Sequence, residues 1–194
     1  ITGATNHNTR HPIVTASYAT TMHRLTGGRF SLGIGRGIAP MFKAFGIPPI
    51  TTAQMEDFAI VMRRLWKGET VIGHDGPIGS YPVLRLDPTF DEDIPLSIVA
   101  FGPNTLKLGG RLFDNVILHT FFTDETLQRC VATVKDAAER AGRDPASVRV
   151  WSCYATVGDH IDEPLRLKKT VGRLATYLQA VSYTHLTLPT TPYV

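Results

Sequence analysis

Apolar segments typical of buried strands alternate with amphipathic segments typical of helices along most of this chain. The strand segments are residues 1–5, 30–34, 95–100, 115–119 and 148–157, and a helical segment follows each of them. Strands that alternate with helices in this way form parallel sheets that helices cover on both faces. The alternation therefore predicts an α/β fold built on a parallel sheet.

Two architectures contain such a sheet, the open doubly wound sheet and the (β/α)8 TIM barrel. A complete barrel needs about 250 residues, so five strand–helix units within residues 1–180 would form a partial barrel. The chain also begins at Ile1, inside a predicted strand, and we expect its native N-terminus to be missing. We predict a partial TIM barrel, with an open sheet as the alternative.

Two segments depart from the alternation. Within residues 68–93, the turn-forming sequence His74-Asp75-Gly76-Pro77 separates two short apolar stretches and predicts a hairpin-like insertion. Residues 181–194 carry no Asp, Glu, Lys or Arg, are rich in threonine, and resemble the translation of a sequencing adapter. We therefore expect one domain over residues 1–180, followed by a non-native tail at 181–194.

Composition excludes several classes of function. The net charge of +3 is not concentrated in a block of lysines and arginines, so we expect no nucleic-acid partner. We also expect no membrane association, because no apolar run is long enough to span a bilayer and no signal peptide is visible. Cys130 and Cys153 lie in apolar segments without metal-ligand spacing, which predicts buried thiols, a cytoplasmic location and no metal site.

Ligands of both α/β architectures gather at the carboxyl ends of the parallel strands. This rule selects candidate site residues from the strand prediction alone. The residues at the five predicted strand ends are Thr5, Asn6 and His7; Gly35, Arg36 and Gly37; Ala100, Phe101 and Gly102; His119 and Thr120; and Ala155 and Thr156.

The turn Gly35-Arg36-Gly37 is the most specific of these sites. A glycine-rich turn after a strand brings backbone N–H groups close to an anionic ligand. Its spacing is Gly-x-Gly-x-Gly and a proline-containing loop follows, so a Rossmann dinucleotide site is not expected. A tight turn alone would also explain the glycines. The small residues of Ala100-Phe101-Gly102 favour a ligand, since two cleared strand ends leave room for a flat ring and its phosphate tail.

Three side chains at these strand ends could take part in binding or catalysis. The guanidinium of Arg36 does not deprotonate, so it would pair with a phosphate or carboxylate, or else form a surface salt bridge. The imidazoles of His7 and His119 titrate near neutral pH and could donate protons, or could serve as structural polar groups.

Four stretches of the chain resemble a known family. They are Asn8-Thr9-Arg10-His11-Pro12, Leu25-Thr26-Gly27-Gly28-Arg29-Phe30, Leu32-Gly33-Ile34-Gly35-Arg36-Gly37 and Ala100-Phe101-Gly102-Pro103. They resemble the luciferase-like monooxygenase superfamily and, within it, the oxidoreductases that depend on the deazaflavin F420. The resemblance covers residues 1 to about 180 and implies a TIM barrel that runs from the third barrel strand to the seventh.

The resemblance also implies how the cofactor, F420 or alternatively FMN, would be bound. A non-prolyl cis peptide at Thr2–Gly3 would contact the ring, and Thr5, Asn6, Gly35 to Gly37 and Ala100 to Gly102 would line the rest of the pocket. Ile38 stands where the F420-dependent sugar-phosphate dehydrogenases carry a glutamate, which argues against that class of substrate.

The function implied by the resemblance is hydride transfer between F420 and a small organic substrate, with His7 and His119 as candidate catalytic residues. An FMN-dependent monooxygenase on the same scaffold is the alternative. A third hypothesis is a catalytically incompetent fragment, since barrel strands that often supply catalytic residues would be absent. The superfamily often dimerises, so the parent protein could be a homodimer.

Overall fold

The computed structural model describes residues 1–120, 123–154 and 156–181. In chain order, its strands are β1 (Leu32–Ile34), β2 (Val71–Gly76), β3 (Gly79–Leu84), β4 (Leu96–Val99), β5 (Asn115–Ile117) and β6 (Arg149–Trp151). Its α-helices are α1 (Pro12–Leu25), α2 (Ala39–Ala44), α3 (Thr52–Trp66), α4 (Pro103–Leu112), α5 (Asp124–Arg140) and α6 (Glu163–Val181).

Four of these strands form a parallel sheet in the order β1-β4-β5-β6. The register aligns Gly33 with Ser97, Asn115 and Arg149 across the sheet. Helices connect the strands, as the alternation of the sequence requires for parallel pairing. The predicted α/β fold with a parallel sheet is therefore confirmed.

The predicted strand at residues 1–5 is wrong as a regular strand. Only Thr5 pairs with β1, through an isolated parallel bridge to Ile34. Nearer the N-terminus, the hydroxyl of Thr2 accepts a hydrogen bond of 2.8 Å from the N–H of Gly33. A side chain thus occupies a position on β1 that a backbone carbonyl would take in a regular ladder.

The core lies between the sheet and its helices. Leu32, Ile34, Leu96 and Ile98 are fully buried on the sheet. Trp66, at the end of α3, is also buried, and its indole N–H donates to the Ala16 carbonyl of α1 at 3.2 Å. This bond satisfies the polar atom of a large buried side chain and joins α3 to α1.

The segment 68–93 contains the antiparallel hairpin β2–β3, which is separate from the parallel sheet. The carboxylate of Asp57 on α3 holds it in place. One oxygen of that carboxylate lies 3.1 Å from Nε2 of His74 and accepts from the N–H of Ile78 at 3.1 Å. Asp57 therefore fastens the hairpin turn to α3.

The last predicted strand is shorter than expected, because β6 covers only Arg149–Trp151 of residues 148–157. Cys130 is buried on α5 as predicted, but Cys153 is exposed, which corrects the prediction of two buried thiols. The correction follows from the early end of β6, since Cys153 lies beyond the sheet and its helical cover. Of the predicted tail, Val181 ends α6 and residues 182–194 lie outside the described residues.

Candidate functional site

Two loops meet at the carboxyl end of the sheet. One follows Thr5 and the other follows β1, and side-chain amides join them. Asn6 donates to the Gly35 carbonyl at 2.9 Å, and Asn8 donates to the Pro48 carbonyl at 2.8 Å. The structure thus brings Thr5 and Asn6 together with the glycine turn, as their positions after neighbouring strands predicted.

Two glycines of β1 and its turn are explained by packing. A Cβ atom on Gly33 would lie 1.8 Å from the Thr2 carbonyl oxygen, and one on Gly35 would lie 2.9 Å from Cβ of Ala4. Both glycines therefore allow the N-terminal segment to lie directly against β1.

Gly37 has a different structural reason, because its φ of +70° is a conformation that other residues rarely adopt. A Cβ there would also lie 2.7 Å from the ring of Phe42.

Gly3 and Gly102 face open space instead. No atom lies within 4 Å of a Cβ built on either residue. Gly102 precedes the first residue of α4, and its φ of −87° and ψ of 158° are open to any residue. Neither backbone strain nor neighbouring protein atoms therefore require glycine at 102, but the residue is the N-cap of α4, where glycine is favoured over most other residues.

Arg36 is bound by neutral oxygens at the starts of two helices. Its guanidinium donates to the Ile50 carbonyl at 2.9 Å, to the hydroxyl of Thr105 at 3.3 Å and to the hydroxyl of Thr52. Thr52 is the first residue of α3, and Thr105 lies in the first turn of α4. Within the part of the chain that the structure describes, no carboxylate pairs with Arg36.

This arrangement concentrates positive charge. Partial desolvation lowers the pKa of Arg36 from its ordinary value, but a guanidinium remains charged at neutral pH. Helix N-termini add partial positive charge from their backbone dipoles. The chemistry of this corner therefore suits an anion, and the predicted anion-binding role of Arg36 stays a prediction. The predicted set did not include Thr52 or Thr105, although helix-start signals beside two strand ends were available to find them.

The hydroxyls of Thr2 and Thr5 are engaged with each other and with β1. Thr5 donates to the Thr2 hydroxyl at 3.3 Å, and Thr2 donates to the Gly33 carbonyl at 3.3 Å. The predicted cis peptide at Thr2–Gly3 is wrong in this structure, because no described peptide bond is cis. A non-prolyl cis bond costs about 3–4 kcal/mol, and here a trans backbone makes the contacts of Thr2 to β1.

His7 is enclosed. It is 6% exposed and its ring stacks on Phe58, with 5.3 Å between ring centroids. Neither ring nitrogen has a hydrogen-bond partner among the described residues. Burial lowers the pKa of His7, and the nearby charge of Asp57 opposes this shift less strongly. His7 is therefore neutral at neutral pH, and its predicted catalytic role stays a prediction.

The ends of β4 and β5 meet through an aromatic pair. The rings of Phe101 and His119 are 4.5 Å apart and nearly perpendicular. Nδ1 of His119 lies 2.7 Å from the Thr120 carbonyl, so this nitrogen carries a proton and donates. Beside it, the buried hydroxyl of Thr120 has no partner among the described residues. The structure thus brings His119 to Phe101, while its catalytic role stays a prediction.

The remaining predicted residues are Ala100, Ala155 and Thr156. Ala100, which follows β4, is fully buried. Thr156 is exposed, and Ala155 lies outside the described residues.

The described residues contain no group of three or more His, Cys, Asp or Glu that could hold a metal ion. The described helices also include none whose length and hydropathy would let it cross a membrane.

The sequence is similar to proteins of a known family. The sequence profile of the luciferase-like monooxygenase family matches residues 1–177. A 5,10-methylenetetrahydromethanopterin reductase from Methanolobus tindarius is 32% identical over 160 residues, which cover 79% of this chain and 47% of that protein.

A phthiodiolone/phenolphthiodiolone dimycocerosates ketoreductase from Mycobacterium tuberculosis is 32% identical over 152 residues, which cover 74% of this chain and 39% of that protein. The chain therefore spans about half or less of the length of these curated relatives.

The fold has counterparts among solved structures. The coenzyme F420 dependent tetrahydromethanopterin reductase from Methanopyrus kandleri superposes with a TM-score of 0.64 at 24% sequence identity. The superposition covers 79% of this chain and 48% of that one. The superposition supports the predicted architecture of a partial barrel, because about half of the other protein aligns with this chain. The match of the family's sequence profile to residues 1–177 shows that the chain belongs to the luciferase-like monooxygenase family.

Proposed function

We propose that the protein is an F420-dependent oxidoreductase that transfers a hydride between F420 and a small organic substrate. The observation that carries the proposal is Arg36, which has only neutral hydrogen-bond partners among the described residues and lies where α3 and α4 begin. F420 carries a phosphate in its tail, and a charged guanidinium beside two hydroxyls suits that group. The F420-dependent reductase of similar fold supports the choice of cofactor.

The other residues at this end of the sheet fit a flat ring with a phosphate tail. Arg36, Thr52 and Thr105 would hold the tail, because the two hydroxyls can turn to donate to phosphate oxygens. Gly102 would lie against the ring, since nothing occupies the space that a side chain at residue 102 would fill, whereas Ala100 is fully buried and has no surface to offer. When bound, F420 supplies a hydride from C5 of its deazaflavin ring.

The chain itself would supply orientation and proton control. We assign the proton to His119, whose Nδ1–H donates to the Thr120 carbonyl and fixes the ring. In the neutral imidazole, Nε2 is then the atom that accepts a proton. Phe101 packs edge to face against that ring and limits its rotation.

An FMN-dependent monooxygenase is the second candidate. FMN also carries a phosphate, so the corner around Arg36 suits it as well. Membership of the luciferase-like monooxygenase family supports this alternative. The two cofactors differ in the atom that carries the hydride, C5 in F420 and N5 in FMN.

The test is equilibrium binding of each cofactor, followed by its own absorbance band. We expect F420 to bind, and we expect Arg36→Gln to weaken its binding at least about tenfold, because a charge-assisted bond to phosphate is lost. Arg111→Gln is the matched control. Arg111 pairs with Glu56 on the outer surface at 2.8 Å, so its loss leaves binding unchanged. Binding of FMN but not F420, or equal F420 affinity in Arg36→Gln, would contradict the proposal.

A further inference from the structure

The hairpin β2–β3 is not part of the site described above, but it contacts one of the loops that form that site. The ring of Tyr81 on β3 meets the ring of His11 edge to face, with 5.1 Å between ring centroids. His11 ends the loop of residues 6–11, which we call the ligand loop because it begins with Asn6, a residue of the candidate site. The hairpin therefore reaches the candidate site through an aromatic side chain.

Tyr81 is held in this position by its own hairpin and by α3. Its hydroxyl donates to the Ile78 carbonyl at 3.0 Å, and its ring stacks on that of His74, its cross-strand partner, at 6.1 Å. Nε2 of His74 lies 3.1 Å from the carboxylate of Asp57 on α3. Gly76 allows this approach, because a Cβ there would lie 2.6 Å from the same carboxylate oxygen. The ring that faces the ligand loop is thus fixed to α3.

The ligand loop is also attached to α1 and α3. Nδ1 of His11 accepts from the Ile13 N–H at 3.3 Å and caps α1. The ring of His7 stacks on Phe58, the residue that follows Asp57 in α3. One turn of α3 therefore anchors the hairpin through Asp57 and the ligand loop through Phe58.

These contacts bear on the site because the ligand loop is short. Asn6 and His11 are its two ends, and Asn6 donates to the Gly35 carbonyl of the glycine turn at 2.9 Å. Between them, Asn8 donates to the Pro48 carbonyl at 2.8 Å. Coupling between distant sites is carried by such chains of packed side chains and hydrogen bonds. A displacement of His11 is therefore transmitted to the bond between Asn6 and the glycine turn.

We propose that Tyr81 and Asp57 are positioning residues for ligand binding, because together they hold the ligand loop in the conformation in which Asn6 reaches the glycine turn. Neither residue contacts the ligand in this proposal. The inference rests on the proposed function, since the ligand loop affects binding only when a ligand occupies the carboxyl end of the sheet. It gives the hairpin a role in affinity, in addition to its packing on α3.

The test is a double-mutant cycle on F420 affinity, with Tyr81→Leu and Asn6→Ala. We expect Tyr81→Leu alone to weaken F420 binding about threefold to tenfold, a usual size for coupling through packed side chains. In Asn6→Ala the same change should have no further effect, because the residue through which Tyr81 acts has been removed. Tyr81→Phe, which keeps the ring, should keep the parent affinity. Equal effects of Tyr81→Leu with and without Asn6→Ala would overturn the inference.

Ile72→Ala is the matched control. Ile72 is 76% exposed and pairs with Val83 near the open end of the same hairpin, so its loss should leave F420 affinity unchanged. Asp57→Ala detaches the hairpin turn from α3 and should reproduce the effect of Tyr81→Leu. Asp57→Asn keeps an oxygen acceptor for the Ile78 N–H and should weaken binding less. Thermal melts check that each variant is folded. A loss of affinity in Ile72→Ala as large as that in Tyr81→Leu would overturn the inference.

A measurement without cofactor separates this inference from the proposed function. The side-chain amide of Asn6 gives its own NMR signals, which its hydrogen bond shifts and protects from exchange with water. In the free protein, we expect Tyr81→Leu to move these signals and to speed their exchange, and Ile72→Ala to leave them unchanged. If the parent chain shows this change but binds no F420, only the proposed function is contradicted. If F420 binds and Tyr81→Leu leaves the Asn6 signals unchanged, only this inference is contradicted.

Discussion

The arginines at the two ends of the parallel sheet have different kinds of partner. At the amino end, one oxygen of Asp114 accepts from Arg63 at 2.9 Å and from the Leu96 N–H at 2.7 Å. Arg143 approaches the other oxygen to 3.7 Å and donates to the carbonyls of Gly110 and Phe113. These arginines are partnered by a carboxylate and by the backbone of the adjoining turn.

At the carboxyl end of the sheet, fewer polar groups have hydrogen-bond or charged partners. Among the residues that the structure describes, Arg36 has neutral partners only, and buried polar atoms of His7, Asn8, Thr15 and Thr120 have no partner. His7 and Asn8 lie in a 3-10 turn just after the bridge residue Thr5, Thr15 lies in the first turn of α1, and Thr120 lies in the loop after β5. The contrast teaches that the amino end contributes stability, whereas the carboxyl end keeps polar groups available at a cost in stability.

The largest effect on stability is expected from Asp114→Ala. The substitution removes the partner of two guanidinium groups and of a backbone N–H, so we expect the free energy of unfolding to fall by about 2–3 kcal/mol. Urea denaturation followed by circular dichroism measures it. Glu56→Ala, which removes only an exposed pair with Arg111, should cost less than about 1 kcal/mol. Equal losses of unfolding free energy in the two variants would contradict a stabilising role for Asp114 at the amino end of the sheet.

At the carboxyl end, His7→Phe is expected to act in the opposite direction. The change removes two buried nitrogens that have no described partner and keeps an aromatic ring against Phe58. We expect the free energy of unfolding at pH 7.5 to rise by about 1 kcal/mol. A lower stability would show that the His7 nitrogens are satisfied in solution.

The same residue predicts a dependence on pH. Burial lowers the pKa of His7 in the folded protein below its ordinary value of 6.5, so the unfolded chain binds this proton more readily. The free energy of unfolding should therefore fall as the pH drops below about 6.5, and should level off below the folded-state pKa. The difference in stability between His7→Phe and the parent chain should widen over this window. A constant difference would contradict a buried neutral His7.

The smallest change in stability is expected from Gly102→Ala. A Cβ there meets no atom within 4 Å, and reduced freedom of the unfolded chain would raise the free energy of unfolding by about 0.5 kcal/mol. Gly102 is also the N-cap of α4, where alanine is less favourable than glycine by a similar amount, so we expect almost no net change. F420 titration should nevertheless show weaker binding, because the added methyl occupies the space proposed for the ring. Unchanged F420 affinity would remove Gly102 from the site.

The parts of this structure that the sequence predicted are those with a local signal. Helix and strand periodicity predicted the parallel sheet, and His74-Asp75-Gly76-Pro77 predicted the hairpin. Strand positions placed Arg36 and Gly102 at the carboxyl end.

The parts that the sequence did not predict depend on contacts between distant residues. Thr2 replaces a ladder bond on Gly33, which is 31 residues away, and Thr105 joins Arg36 across 69 residues. No periodicity marks such contacts. The early end of β6, which leaves Cys153 exposed, likewise depends on pairing with a neighbouring strand and not on a local sequence pattern.

The two tryptophans of this chain occupy contrasting surroundings, which gives the protein intrinsic optical reporters. Trp66 is buried, with its indole N–H on the Ala16 carbonyl, whereas Trp151 is 47% exposed at the end of β6 and donates to Asn115 at 3.0 Å. We expect the emission of Trp66 to lie toward the blue and to report on the core. We expect the emission of Trp151 to lie toward the red, to be quenched by iodide, and to report on the edge of the sheet without an added label.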